Sequence, residues 1–258
     1  MIFKIISSNI RFDNPHDGIH RWENRKHILA RIINDFNSDF LATQEGRKTQ
    51  LFDLASLLNN LTLIDSHRKW ITERMYPCIF INPHTIRIYR SGDIWLSKTP
   101  SIPGSSSFKS TFPRLCTWVQ GQLISTSHEF FFVNVHLDHI LAQTRQRQIE
   151  VLIREVKKTC NRNIPLILSG DFNESPNGKV RKVINEEFHS LYDPWPVFNS
   201  QETSSHHSFD GTSSEGERID WILIDKKIEC LSIFLDTIFH NNIYPSDHYP
   251  VKGTFRFL

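Results

Sequence analysis

Apolar residues recur at helical spacing in three stretches of the chain. Trp22, Leu29, Ile32, Ile33 and Phe36 share one face, Leu51, Leu54, Ala55 and Leu58 a second, and Ile149, Leu152, Ile153 and Val156 a third. Around them lie short runs rich in β-branched and aromatic residues, at 2–6, 39–42, 79–89, 116–124, 130–136, 164–168, 219–224, 228–235 and 251–257. Runs of this kind read as strands. Many short strands with few helices predict two sheets packed together with helices outside, rather than a regular alternation of strand and helix. Residues 97–114 and 198–218 are rich in Ser, Gly and Pro and read as long loops, which in a compact domain are usually functional or mobile. No repeat or linker divides the sequence, so residues 1–258 are expected to form one domain.

Composition removes several classes of function. Thirty Lys and Arg against 28 Asp and Glu leave a net charge of +2, too little for a protein that coats nucleic acid by charge. At 39% hydrophobic and 22% charged, the chain is not globally disordered. The opening MIFKIISSNIRF is too short in apolar residues for a signal-peptide core. No window reaches the ~18 consecutive apolar residues of a membrane span, so a cytoplasmic protein is expected. Cys78, Cys116, Cys160 and Cys230 form no C-x-x-C pair, and buried thiols in a reducing compartment are expected rather than zinc or disulfides. Trp22 and Arg25 are expected to dock the first helix, and Trp95 and Trp118 to belong to the sheet core.

The candidate chemistry sits where the strands end. Asn9 follows the first strand and Glu45 the second; His136 closes FVNVH, and Asp171 and Asn173 follow PLILSG. Asp220 lies inside RIDWILI, where a carboxylate among apolar neighbours is costly unless paired. Asp247 and His248 precede the final strand. Oxygen-rich donors of this kind suit Mg2+ or Mn2+ better than zinc. Each residue also has a plainer reading: Asn9 as a turn former, Glu45 as an early helix residue, His136 as a hydrogen-bonded core histidine.

Taken together, "SN" after strand one, "QEG", "NVHLDH", "SGDFNESP", "RIDWIL" and "PSDHYPV" run in order from residue 8 to residue 251. The set resembles the endonuclease/exonuclease/phosphatase superfamily, the fold of pancreatic deoxyribonuclease, AP endonucleases, sphingomyelinases, inositol polyphosphate phosphatases and poly(A) deadenylases. The resemblance implies a DNase I-like four-layer α/β/β/α sandwich of two mixed, largely antiparallel sheets, with the site at the mouth between them. It implies Glu45 as principal metal ligand, supported by Asn9 and Asp247. Asp171 would orient or deprotonate the attacking water, or hold a second ion. Asn173 would bond a phosphoryl oxygen, His248 would contact the phosphate and be oriented by Asp220, and His136 would be a second phosphate contact or general acid.

Subfamily marks narrow the branch. The sequences GDFNESPNG and GERIDWIL depart from the inositol phosphatases, and the His of HLDH departs from AP endonucleases. The stretch DGIHRWENRKHILARIINDFNSDFLATQEG is similar to the nocturnin and deadenylase branch, and more so to a group of bacterial metal-dependent hydrolases that also shares counterparts of GDIWLSKTP, PRLCTW and HLDHILAQTRQRQ. Arg114 and Arg145 are candidate phosphate contacts, Glu73 a candidate substrate residue, and of His206 and His207 one is expected at the site, with His207 preferred. Asp138 and His139 either line the pocket or cap a strand end.

The expected activity is hydrolysis of a phosphodiester or phosphomonoester by activated water with Mg2+ or Mn2+ as cofactor. A nucleotide or short nucleic acid is favoured as substrate, and no obligate protein partner is expected. A phospholipid or sphingolipid phosphodiesterase is the alternative, with an exposed aromatic loop at 97–114 as its sign. A catalytically silent binding module is the second alternative, against which all core motif positions are filled.

Overall fold

The computed structural model describes residues 2–161, 163–211 and 216–258. Among the described residues, twelve strands form two six-stranded sheets. The first sheet holds β1 (Ile2–Asn9), β2 (Phe40–Gly46), β3 (Thr62–Leu63), β4 (Tyr76–Ile81), β11 (Ile228–Leu235) and β12 (Val251–Phe257), in the order β11-β12-β1-β2-β4-β3. The second holds β5 (Ile86–Trp95), β6 (Leu115–Leu123), β7 (Glu129–His136), β8 (Leu166–Asp171), β9 (Leu191–Tyr192) and β10 (Asp220–Asp225), in the order β5-β6-β7-β8-β10-β9. Both sheets are mixed: β1 runs parallel to β2 and β7 to β8, and the other pairings are antiparallel.

The two-residue period of each strand sorts its side chains into layers. Phe3, Ile5, Phe40, Ala42, Phe130, Phe132, Ile167, Ile222 and Ile224 point inward and form the core between the sheets. Their alternates point outward. Ile6, Leu41 and Phe80 meet the helices α1 (Trp22–Phe36) and α2 (Lys48–Leu57) through Trp22, Leu29, Ile33, Leu51 and Leu54. Phe131, Val133, Leu168 and Trp221 meet α3 (Ala142–Thr159) and α4 (Lys179–Glu187) through Ile149, Leu152, Val156, Val180 and Ile184. A short fifth helix, α5, covers Trp195–Phe198. The expected α/β/β/α sandwich is therefore the observed architecture.

Three expectations are corrected. The apolar run 79–89 is two strands in different sheets, parted by a turn in which Asn82 Oδ1 accepts the His84 N–H at 3.0 Å. Helix α4 was not expected, because its buried face is only Val180, Arg181 and Ile184. Of the four cysteines, all free, Cys78 and Cys116 are buried but Cys160 and Cys230 are partly exposed. Trp95 is buried, and Trp118 stacks on Phe131 with centroids 5.1 Å apart, as befits sheet side chains. Among the described residues, no helix is long and apolar enough to cross a membrane.

Candidate active site

The strand order brings the motif residues to one edge. Asn9 is in register with Gln44, His136 with Asp171, and Asp171 with Asp220 across the antiparallel partner. The ends of β1, β2, β7 and β8 and the start of β10 thus meet at one rim, where the segment carrying Asp247 and His248 also returns. Gly170 permits this close pairing. Its φ is +139°, and a Cβ there would lie 2.0 Å from the Val135 carbonyl oxygen.

Glu45 owes its placement to a bulge. Thr43 pairs with Cys78 and Gly46 with Tyr76, so β2 carries one more residue than β4 between these pairs. The extra length puts Glu45 at φ 66°, a left-handed conformation rare for a glutamate and found where structure over-determines the chain. Gly46 is needed next to it, since a Cβ would meet Leu51 Cδ2 at 2.6 Å. The Phe12 N–H donates to Glu45 Oε2 at 3.2 Å.

Arg25 fixes the same rim from below. Its guanidinium is fully buried and donates to the carbonyls of Ile10 (2.5 Å), Arg11 (2.6 Å), His20 (2.8 Å) and Pro245 (3.1 Å). It ties the exit of β1 to the segment leading into Asp247. Burial without a carboxylate in contact lowers its pKa to about 10.

The titratable centre is a buried pair of aspartates with one histidine. Asp220 Oδ2 accepts His248 Nδ1 at 2.8 Å and the Ser205 hydroxyl at 2.6 Å, while Asp220 Oδ1 is buried without a partner. Burial opposes the His248 cation, but the Asp220 charge and hydrogen bond, with Asp171 and Asp247 behind them, outweigh it and push its pKa up to about 10. Asp171 is also pushed up, to about 7, by burial and then by the Asp220 charge. Asn9 Nδ2 donates to Asp171 Oδ2 at 2.9 Å and the Asn173 N–H to Oδ1 at 2.9 Å, both favouring its ionised form. His136 Nε2 lies 3.5 Å from Asp171 Oδ2. Burial, followed by the nearby Arg114, holds the His136 pKa well below its ordinary value, so the ring is neutral.

A cavity of about 290 Å3 opens on this centre. Its lining includes Glu45, Asp171, Asn173, Asp247 and His248, with Arg11, Arg114, His139 and His206 beside the apolar Phe12, Met75, Phe112 and Ile219. Asn9, His136 and Asp220 stand behind the wall. Both ends of the Asn9 amide are engaged, Nδ2 by Asp171 and Oδ1 by the Arg11 N–H at 2.9 Å, so Asn9 joins the sheets rather than facing the cavity.

Three expected substrate residues lie elsewhere. The Glu73 side chain is 75% exposed and pairs with Arg47 at 3.4 Å, outside the cavity. Arg145 is held by Glu174 at 3.1 Å and the Asp138 carbonyl at 3.2 Å, and it does not line the cavity. His207 turns inward and stacks on Tyr249 with centroids 4.0 Å apart, and it is His206 that reaches the cavity. Asp138 holds the turn after β7 by accepting the Ile140 and Leu141 N–H groups, and His139 lines the cavity. Sequence reasoning missed Arg11, which pairs with Asp17 at 3.1 Å and lies 3.6 Å from Asp247. Its place two residues beyond Asn9 was the available signal.

A divalent cation would meet carboxylate and imidazole donors here. His206, Asp247 and His248 bring ligand atoms within 4.8 Å of one another, as do Asp171, Asp220 and His248. In the second group His248 and Asp220 are already bound to each other. Glu45 and Asp247 both line the cavity, and a hard ion that keeps several waters needs only one or two carboxylates. The residues fit a divalent cation.

The sequence profile described as the Endonuclease/Exonuclease/phosphatase family matches residues 6–248, and the chain belongs to this family. Its fold is therefore that of the DNase I-like superfamily. An uncharacterized protein of Acanthamoeba polyphaga mimivirus is 23% identical over 277 residues, covering 98% of this chain and 100% of that one. The mannosyl-6-phosphatase of Bacteroides thetaiotaomicron is similar in structure, with a TM-score of 0.89 and 26% identity over 99% of this chain and 100% of its own. The human nocturnin catalytic domain shares the fold, with a TM-score of 0.74 and 20% identity over 100% and 94%.

Proposed function

We propose that the protein is a divalent-metal-dependent phosphoesterase that hydrolyses a small phosphorylated molecule. One observation carries this reading: Asp171, Glu45, Asp247 and His248, the last bonded to buried Asp220, line a single cavity of about 290 Å3. A Mg2+ or Mn2+ ion held by Glu45 and Asp247 would act as Lewis acid toward the phosphoryl oxygens. Asp171, its pKa near 7, accepts the proton of the attacking water, which enters in line with the leaving oxygen. His248 spends Nδ1 on Asp220 and directs its remaining N–H at the phosphate, where a fixed cation stabilises charge as it builds. Asn9 holds Asp171, and Asn173 lines the wall where a phosphoryl oxygen would lie.

The size of the cavity and the net charge of +2 favour a nucleotide or phosphorylated sugar over a long polyanion. The Bacteroides relative, named a mannosyl-6-phosphatase, supports a phosphomonoester. A second reading, a phospholipid phosphodiesterase, is favoured by Ile102 and Phe112, 54% and 42% exposed on the 97–114 loop. A panel of nucleotides, sugar phosphates, bis(p-nitrophenyl) phosphate and phospholipid vesicles, assayed with and without Mg2+ or Mn2+, separates them. Ion-dependent turnover of the small molecules is expected. No turnover of any member overturns the enzyme reading, and turnover of vesicles alone favours the second.

A further inference from the structure

The cavity contains a cation set apart from His248. Arg114 is 6% exposed, and its guanidinium forms part of the wall. Its hydrogen-bonding neighbours are two imidazoles, not carboxylates. Other buried arginines are better served: Arg68 meets Asp93, Arg218 meets Asp193 and Glu202, and Arg25 meets four carbonyls.

The contacts of Arg114 leave its donors largely unspent. Nη1 lies 2.8 Å from His136 Nδ1 and 3.0 Å from Nε2, near-equal distances that set it against the ring rather than along one lone pair. Nη2 is 3.3 Å from His139 Nδ1, beyond the usual range of such bonds. Nε is buried with no partner at all. Glu45, Asp171 and Asp138 attract this cation through space only, and a guanidinium buried without a bonded carboxylate costs stability unless something completes it.

Its position decides what that is. Arg114 Nη1 and Asp171 Oδ2 both approach His136 Nε2, at 3.0 and 3.5 Å, so the guanidinium adjoins the reacting centre without bonding to its carboxylate. Beside it Phe112 and His139 stack at 6.0 Å and 17°, giving a flat face on the same wall. Arginine's planar fork matches the oxygens of phosphate.

We infer that Arg114 and His139 form a second anion subsite, which takes a phosphate of the substrate other than the one cleaved, while the Phe112–His139 face packs against the framework joining the two. This rests on the phosphoesterase reading and narrows its substrates to small bisphosphorylated molecules.

Matched pairs test it: fructose 1,6-bisphosphate against fructose 6-phosphate, glucose 1,6-bisphosphate against glucose 6-phosphate, and 2,3-bisphosphoglycerate against 3-phosphoglycerate. Binding is measured by calorimetry in EDTA and turnover with Mn2+. The wild type is expected to favour at least one bisphosphate by about 10- to 100-fold, the worth of one or two charge-assisted hydrogen bonds. Arg114→Met brings that ratio toward one, and Arg114→Lys restores part of it. Thermal unfolding of each variant shows that it is folded; if Arg114→Met is not, the wild-type and Arg114→Lys ratios decide. Equal handling of every pair by an active wild type overturns the subsite alone, as does equal weakening of both members in Arg114→Met. Absence of turnover on all phosphoesters overturns the underlying reading instead.

Discussion

Asn9 and Asp171 stand 162 positions apart, on different sheets, and are joined by a buried hydrogen bond of 2.9 Å. The bond ties the two sheets together at the edge where the site forms. It also favours the charged form of a carboxylate that burial and Asp220 push the other way.

Asn9→Ala therefore has a signed effect on pH dependence. With the Nδ2 donor gone, the Asp171 pKa rises further. A base must be ionised to accept a proton, so the acid limb of the kcat/KM profile moves to higher pH. Loss of a buried bond to a charged group also lowers stability by about 1–3 kcal/mol. A pH–rate series and urea unfolding read the two effects; an unmoved acid limb separates Asp171 from the role of base.

Asp220→Asn acts on the opposite limb. His248 owes its pKa of about 10 chiefly to Asp220, and with a neutral partner burial draws it down. If the cationic ring serves the phosphate, activity is lost as pH rises through its pKa, so the basic limb moves to lower pH. The rate falls on the order of 10²-fold or more. NMR titration of the His248 ring checks the shift directly.

The order of motifs and the layer pattern were legible in the sequence because each strand speaks for itself. Phe130 and Phe132 face one way and Phe131 and Val133 the other, and polar residues such as Asn9, His136 and Asp171 close their strands. The break inside 79–89 was signalled only by the Asn82-Pro83 dipeptide, a turn former that the apolar run around it masked. What the sequence could not reveal depends on backbone conformation and pairing. The bulge that aims Glu45 is marked only by the glycine after it, Gly46, which by itself does not distinguish a bulge from a turn. The choice between His206 and His207 is set by a bridge from His206 to His248, a contact between distant segments. Glu73 and Arg145 have suitable side chains, but Arg47 and Glu174 hold them away from the cavity.

Metal binding and phosphate contact are expected to separate by residue. Glu45→Gln weakens Mn2+ binding by at least the roughly 10- to 100-fold that loss of an outer-shell partner costs a metal site, and activity falls with it. His248→Ala loses activity yet keeps its Mn2+ affinity within a few-fold, because the ring is bound to Asp220. Calorimetric titration with Mn2+ measures both. Unchanged affinity in Glu45→Gln removes it as a ligand.

His207 gives the fold an acid-sensitive point that does not depend on turnover. The ring is buried, both its nitrogens lack partners, and it stacks on Tyr249. Burial lowers its pKa from 6.5 to about 4, so it is neutral in the folded protein at neutral pH. Between these values the unfolded chain binds more protons than the folded one. The stability contribution is therefore complete above about pH 6.5 and is lost as pH falls through about 4. Its full size is on the order of 3 kcal/mol. His207→Phe keeps a flat ring and removes the titration, so it is expected to be near neutral at pH 7.5 and stabilising relative to wild type at pH 4.5. Thermal unfolding of both proteins across that range gives the difference. An equal gap between them at every pH would assign the acid sensitivity to other groups, with His136 the first to test.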